Sequence, residues 1–308
     1  MIIVEEIKNI YRGHLAVNEP LDKCTSFRIG GPADLYLEPV DTNDLMRIMQ
    51  YLRANNVPVT IVGNGSNLLI SDDGIRGAVV NLERGLDQIS MEGEIVTVES
   101  GVRITRFVDF CISNGHKGVE MLAGIPGTMG GAVVMNAGAY GGEISDHLLD
   151  VDILRKEERV RVPKAEAGFS YRRSTFTGDA VVLSARFALP IGDKTELMNR
   201  RRELLLKRNQ SQPLNLPNSG SVFKNPTGNF AAKLIEEAGL KGTKIGKARI
   251  SEKHANFIVN EGGASANDVL ELIKLAKRTV LERNKITLEP EVKLLGFSED
   301  IYRTVYSR

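Results

Sequence analysis

Residues 121–142, MLAGIPGTMGGAVVMNAGAYGG, carry no charged side chain over 22 positions and include seven glycines. An uncharged run of that length invites comparison with a membrane-spanning helix. The glycines argue against it, because each costs roughly 1 kcal/mol relative to alanine in a helix interior, and Pro126 and Asn136 add to the penalty. Backbone of this composition suits a place where the chain must pass very close to something else. The segment is therefore read as a close-approach loop and not as a span.

A second glycine-rich run, GNGSNLL (63–69), follows the strand-like VPVTIV (57–62). It lacks the third glycine of a dinucleotide fingerprint and runs into Asn67-Leu68-Leu69-Ile70, with no amphipathic helix behind it. A phosphate-binding P-loop is absent as well, since Lys241 stands where the first glycine before Gly246-Lys247 would be needed. Consecutive small residues still expose several backbone N–H groups in one concavity, which binds a pyrophosphate without formal charge. A plain tight turn is the alternative. One such loop is explained by turns alone; two point to a large, flat, charged cofactor along the backbone, and FAD fits. The candidate cofactor contacts are Gly63, Asn64, Gly65, Ser66 and Asn67 in the first loop. In the second they are Gly124, Pro126, Gly127, Thr128, Gly130, Gly131, Asn136, Gly138 and Ala139. Arg28, beside the Gly30-Gly31 pair of CTSFRIGGPADLYLEP (24–39), joins them.

The 308 residues predict two or three domains. Lys+Arg 40 against Asp+Glu 39 leaves a formal charge of +1, so no overall field calls for nucleic acid or a membrane. Cys24 and Cys111 are too few for a disulfide framework or a four-cysteine zinc site. The four histidines (14, 116, 147, 254) are scattered and no HExxH occurs, so no metal is expected. The start MIIVEEIKNI has acids where a signal peptide needs positive charge, which suits a cytoplasmic protein. Periodicity predicts helices over 42–55, with Thr42 as cap, and over 103–114. Strands are expected at 57–62, 77–83, 94–100, 149–155 and 180–188, giving an α+β body to about residue 190. Residues 200–253 then hold twelve Lys/Arg against four Glu. A helix over 265–283 opens on Ser265 and Asp268 in a capping-box pattern, and a strand-like ITLEPEVKLLG (286–296) follows.

The remaining polar constellations are FSYRRSTF (169–176), NSGSVFKNP (218–226), SEKHANFIVN (251–260) and LEPEV (288–292). Tyr171 and Arg172 suit either a site or an amphipathic surface strand. Ser221 after Gly220 suits turn chemistry as well as catalysis. His254 is the one histidine in a polar, small-residue setting. Glu289 and Glu291 share a strand face, with Pro290 marking an edge or an end.

Together, TSFRIGGPADL, GNGSNLLI, AGIPGTMGGAVVMNAGAYGGE, FSYRRS, GSVFKNP, KHANFIVN and LEPEV closely resemble the UDP-N-acetylenolpyruvoylglucosamine reductase (MurB) family, in order and over nearly the whole chain. The passage from 180–188 straight into a helix near 193–208 resembles the shorter, type II branch, which lacks an inserted loop with an extra substrate tyrosine. The resemblance implies a two-subdomain FAD-binding fold of the vanillyl-alcohol-oxidase type (1–80 and 81–198) plus an α+β substrate domain (199–308), with 286–296 returning Glu291 to the active site. It implies non-covalent FAD, NADPH as hydride donor and a nucleotide-sugar substrate. By motif, Ser221 would be the proton donor, Glu291 the partner acid and Arg172 the grip on the substrate carboxylate, with Asn225 on the substrate. Tyr171, His254 and Asn256 are further substrate candidates, and Lys224 is the first choice for the diphosphate. An FAD-dependent oxidase of a small hydroxy acid or sugar keeps the fold and changes the chemistry; a non-catalytic nucleotide-sugar binder discards the chemistry altogether.

Overall fold

The computed structural model describes residues 4–307. The chain divides into two compact units. The first takes residues up to Val17, Leu35–Asn64 and Gly77–Arg208; the second takes Asn18–Asp34, Gly65–Arg76 and residues from Asn209 on. These units cut across the three consecutive ranges read from the sequence. The reason is pairing at long sequence separation: Leu68–Ile70 lies parallel to Lys293–Leu295, with Lys293 opposite Leu68, which draws 65–76 into the second unit.

One sheet, most of whose residues lie in the first unit, orders the strands His14–Pro20, Pro32–Glu38, Ile75–Asn81 and Val59–Val62. The last two run parallel, Val59 against Ala78. The helix Thr42–Ala54 turns Leu45, Ile48, Met49 and Leu52 into a core with Leu35, Leu37, Ala78 and Val80. Burial of each such side chain stabilises the unit by roughly 1.5–3 kcal/mol. The cap of this helix is Asp41, whose carboxylate accepts the Asp44 N–H at 2.8 Å, and Thr42 is the first helical residue. A carboxylate meets the helix dipole as well as the N–H, which favours it over the neighbouring hydroxyl.

The second sheet of this unit is antiparallel and orders Glu158–Pro163, Leu148–Arg155, Val181–Ala188, Ile95–Glu99 and Ile89–Glu92. The helix Ile104–Ser113 packs there through Phe107, whose ring lies 4.9 Å from that of Phe187. The uncharged glycine-rich stretch folds as a 3-10 turn at Glu120–Leu122, the helix Met129–Met135 and a short pairing of Gly138–Ala139 with Gly142–Glu143. Among the described residues no helix is long and apolar enough to cross a membrane.

The second unit carries a three-stranded sheet, Lys244–Ile245, Ala248–Ile250 and Ile258–Asn260, with the helices Ala231–Glu237 and Ala266–Asn284. Ser265 and Asp268 form the expected capping box, and Asp72 adds its carboxylate to the Ala266 N–H at 2.9 Å. Within 286–296 only Lys293–Leu295 forms a strand, while Pro290 makes an isolated bridge with Phe223. Proline has no N–H to continue a ladder.

Candidate active site

In the first unit Gly63, from the first glycine loop, meets Thr128, from the second. A Cβ at Gly63 would lie 2.2 Å from Thr128 Oγ1, so only glycine permits this approach. The Asn81 amide donates to Gly63 O, and Met129 and Gly130 donate their N–H groups to Val102 O and Ser100 O. Ser100 Oγ is buried beside Gly130 and has no hydrogen-bond partner among the described residues. Leaving such a group unpaired costs about 1–3 kcal/mol, which is the mark of a polar partner still to be supplied. Gly131 is exposed, and a Cβ there would meet nothing nearer than Thr128 Oγ1 at 3.9 Å. The protein's own packing does not require that glycine, and its open face leaves room for a ligand to come close. The unpaired hydroxyl and the open glycine face fit a flavin dinucleotide.

Two expected cofactor contacts also serve the protein's own packing. Asn136, buried in the left-handed region at φ 42°, donates to Glu143 Oε2 (2.7 Å) and Ser170 O (3.2 Å) and accepts from Ser145 N (3.2 Å). Its carboxamide is engaged at both ends by the loop it closes. Gly124 makes room for Arg208, whose Cδ would lie 2.9 Å from an added Cβ.

Tyr171 and Arg172 occupy the tip of a two-residue turn, because Ser170 and Arg173 exchange both backbone hydrogen bonds at 3.0 Å. Arg172 sits at φ 56°, where a side chain costs roughly 1–2 kcal/mol. Glycine would relieve that strain, so the guanidinium there has a use. It donates to Gly138 O at 2.8 Å and lies 5.0 Å over the Tyr171 ring.

In the second unit, Ser221 follows Gly220, which has φ 76° and open space where a Cβ would point. Asn218 Oδ1 accepts the Gly220 N–H, and the Asn218 amide donates to Pro213 O and Leu216 O. Beyond the serine, Val222 O accepts the Glu291 N–H at 2.8 Å, and Lys224 N donates to Glu289 O at 2.9 Å. This antiparallel pairing brings the segments of Ser221 and Glu291 side by side. Asn67 fixes the other edge: its amide donates to Glu291 O at 3.1 Å and its carbonyl accepts from Lys293 N. Asn67, expected on the cofactor, thus also holds the segment of the candidate acid.

The two glutamates are not equivalent. Lys224 Nζ pairs with Glu289 Oε1 at 2.6 Å, so the lysine expected to neutralise a diphosphate already has a counter-ion. Burial, reinforced by Lys224, lowers the Lys293 pKa, while Glu289 and Glu291 oppose that shift. Asn225 Oδ1 accepts the Ala231 N–H at the start of the helix Ala231–Glu237. His254 packs edge-on to Phe257, and burial, with Lys241 nearby, holds its imidazole below the usual value. Nδ1 accepts the Asn256 N–H at 3.3 Å. Asn256 itself is buried and bonded to the Phe223 backbone, not placed as a ligand for substrate. Arg28 is exposed in the left-handed region at φ 55°, and Gly65 packs on Cys24 O of the same unit, 2.0 Å from an added Cβ.

Residues 212–295 match the C-terminal domain of UDP-N-acetylenolpyruvoylglucosamine reductase, and residues 33–162 match an FAD binding domain. A UDP-N-acetylenolpyruvoylglucosamine reductase from Chloroherpeton thalassium is 43% identical over 98% of this chain and 99% of its own. The chain belongs to that reductase family. The relative of the same name from Agathobacter rectalis is 44% identical over 92% of this chain and 94% of its own. A solved MurB structure from Thermus caldophilus superimposes with a TM-score of 0.79 at 36% identity, covering 92% of this chain and 99% of that one. The reductase fold, an FAD-binding part of the vanillyl-alcohol-oxidase type with an added substrate domain, is therefore the fold of this chain.

Sequence reasoning missed Asn218, Ser26 and Ser100. Asn218 had a readable signal, since an asparagine two residues before a glycine is the pattern of a side-chain turn. Ser26, whose hydroxyl donates to Asn218 O at 2.6 Å, had none.

Proposed function

We propose that Ser221 donates the proton and Glu291 serves as partner acid in an FAD-dependent, NADPH-driven reduction of UDP-N-acetylglucosamine enolpyruvate to UDP-N-acetylmuramate. The enzyme is a flavoprotein oxidoreductase of peptidoglycan synthesis. Bound FAD supplies the hydride that NADPH provides. The glycine loops 63–67 and 124–139 are the residues that would hold it.

Hydride addition to the enolpyruvyl alkene leaves negative charge on the carbon beside the carboxylate. A hydroxyl is a weak acid against water, yet a strongly basic carbanion supplies the driving force for its proton. Ser221 O–H is the donor in this reading, and the C–H bond formed there completes the saturated lactyl ether. Arg172, kept at a strained turn tip, grips the substrate carboxylate. A guanidinium already in place when charge develops lowers the barrier without reorganisation. Tyr171, Asn225 and His254 are proposed to line the substrate. A cytoplasmic monomer acting on small molecules completes this reading, and the nearly balanced charge speaks against nucleic acid or a membrane as partner.

The observation that carries the reading is the Glu291 N–H to Val222 O bond, which puts the serine and the acid on adjacent paired segments. Ser221→Ala should keep flavin reduction by NADPH and slow the oxidative half-reaction by at least about 10²-fold. Equal losses in both half-reactions, followed by stopped-flow absorbance, would remove Ser221 from the proton-transfer role.

A further inference from the structure

We infer that Asn256 is a positioning residue that holds Ser221 and Glu291 in register by acting as one rung of a missing strand. Its side chain is only 4% exposed. Oδ1 accepts the Phe223 N–H at 2.9 Å, and Nδ2 donates to Phe223 O at 2.8 Å. The main-chain carbonyl of Asn256 accepts the Val222 N–H at 2.9 Å. One residue thus satisfies three backbone polar groups of the segment that begins at Ser221. A neighbouring strand would offer the same donor and acceptor, but none runs there: Ile258–Asn260 starts two residues later.

On its opposite edge the same segment is bonded to the glutamate segment 289–291 through Val222 O and Lys224 N. The three-residue stretch 222–224 is therefore clamped from both sides, and Asn256 supplies one entire side. Among common side chains only a carboxamide presents an N–H donor and a carbonyl acceptor together at amide spacing. Aspartate keeps the acceptor for Phe223 N–H, loses the donor and turns a carboxylate toward Phe223 O. Alanine leaves both Phe223 groups buried and unpaired. Either change loosens the backbone on which the hydroxyl of 221 and the carboxylate of 291 depend. Misplacement of reacting groups by about 1 Å costs on the order of 10²-fold in rate.

The inference rests on the proposed role of Ser221, and its test separates the two. Asn256→Asp and Asn256→Ala would be made in the native enzyme and in Ser221→Ala. Flavin content, flavin reduction by NADPH and reoxidation by the enolpyruvyl nucleotide sugar would be followed in each. Asn256→Asp should slow reoxidation about 10–100-fold with flavin reduction unchanged, yet by less than about 3-fold in the Ser221→Ala background, because the two act as one unit. Amide hydrogen exchange over 221–224 should rise in Asn256→Asp without substrate present. Should Asn256→Ala fail to fold, the aspartate variant decides alone. Equal slowing in both backgrounds would make Asn256 a substrate ligand, and unchanged exchange over 221–224 would remove the clamp; either overturns the inference. If Ser221→Ala reoxidised normally, the proton-donor reading would fail, while the exchange measurement would still decide the clamp.

Discussion

Replacing Gly63 by alanine tests whether the cofactor loop is held by the close approach seen at Thr128. The added Cβ would lie 2.2 Å from Thr128 Oγ1, and 3.3 Å from Thr128 Cβ and Cγ2. The oxygen must therefore move by about 1 Å to reach ordinary contact, while the two carbons need give only a few tenths. Thr128 is 3% exposed and caps the helix Met129–Met135 from an extended conformation bridged to Arg103. It has little room to turn. An overpacked site of this kind costs about 1–3 kcal/mol, or roughly 2–4 °C of melting temperature per kcal/mol in a chain of this size. Thermal unfolding and flavin absorbance would be measured for Gly63→Ala, Thr128→Ala, Thr128→Ser and the two double variants. Thr128→Ala removes the clashing oxygen and should recover most of the Gly63→Ala loss, a coupling of about 1 kcal/mol or more. Thr128→Ser keeps the oxygen and should not. A Gly63→Ala protein that melts and binds flavin as the wild type does, or a rescue by serine equal to that by alanine, would refute the reasoning.

The ion pair between Lys224 and Glu289 separates the two glutamates: Glu289→Gln should change KM for the nucleotide sugar a few-fold with kcat nearly kept, whereas Glu291→Gln should slow the oxidative half-reaction by about 10²-fold or more. Steady-state and stopped-flow kinetics on both variants check this, and a larger catalytic loss in Glu289→Gln would reverse the assignment. In the antiparallel pair Leu148–Arg155 and Glu158–Pro163, Arg161 stands directly opposite Asp152 and donates two bonds to its carboxylate, at 2.8 and 3.0 Å, which holds that carboxyl below its usual range. A depressed carboxyl pKa stabilises the fold above the unfolded value near ~3.9 and loses that contribution as pH falls through the folded one. Arg161→Gln should therefore be destabilised at neutral pH and converge on the wild type in acid, as urea unfolding across pH 2–7 (roughly this range) would measure. A deficit that grows toward low pH would contradict the pairing.

The helices were legible because their stripes are strong: Leu45, Ile48, Met49 and Leu52, or Ile104, Phe107, Val108, Cys111 and Ile112, recur at helical spacing and are buried as that spacing requires. Some strands that escaped notice have little to bury, although Pro32–Glu38 and Ile258–Asn260, which are well buried, escaped it too. Ile89–Glu92 and Glu158–Pro163 form the two edges of the antiparallel sheet and expose most of their side chains, so no alternation marks them. Lys244–Ile245 and Ala248–Ile250 are too short for any period to emerge. The interleaving of the two units was invisible for another reason. Pairing between Leu68–Ile70 and Lys293–Leu295 depends on residues at opposite ends of the chain, which local pattern does not connect. Ser221, Glu291 and Arg172 came from motif resemblance, since neither a serine after a glycine nor a glutamate before a strand has a distinctive spacing.

The asparagines show that several residues read as ligands also hold the chain. Glycine-rich and irregular segments leave backbone N–H and C=O groups without a ladder, and a buried unpaired group costs about 1–3 kcal/mol. An asparagine can end such a segment with the same donor and acceptor a strand would offer. Asn136 does so for the turn reaching Ser145 and Ser170, Asn218 for the approach to Ser221, Asn256 for Phe223 and Asn67 for the glutamate segment. Asn260 repeats the device, accepting from Gly262 and Ala264 and donating to Phe27 O. From sequence alone, a polar residue inside a glycine-rich loop looks like a contact to something bound. Here its partners are mostly backbone groups, with Glu143 Oε2 beside Asn136 a side-chain one. Irregular segments such as 218–224 and 136–145 can then be held by these carboxamides where no extended sheet runs beside them.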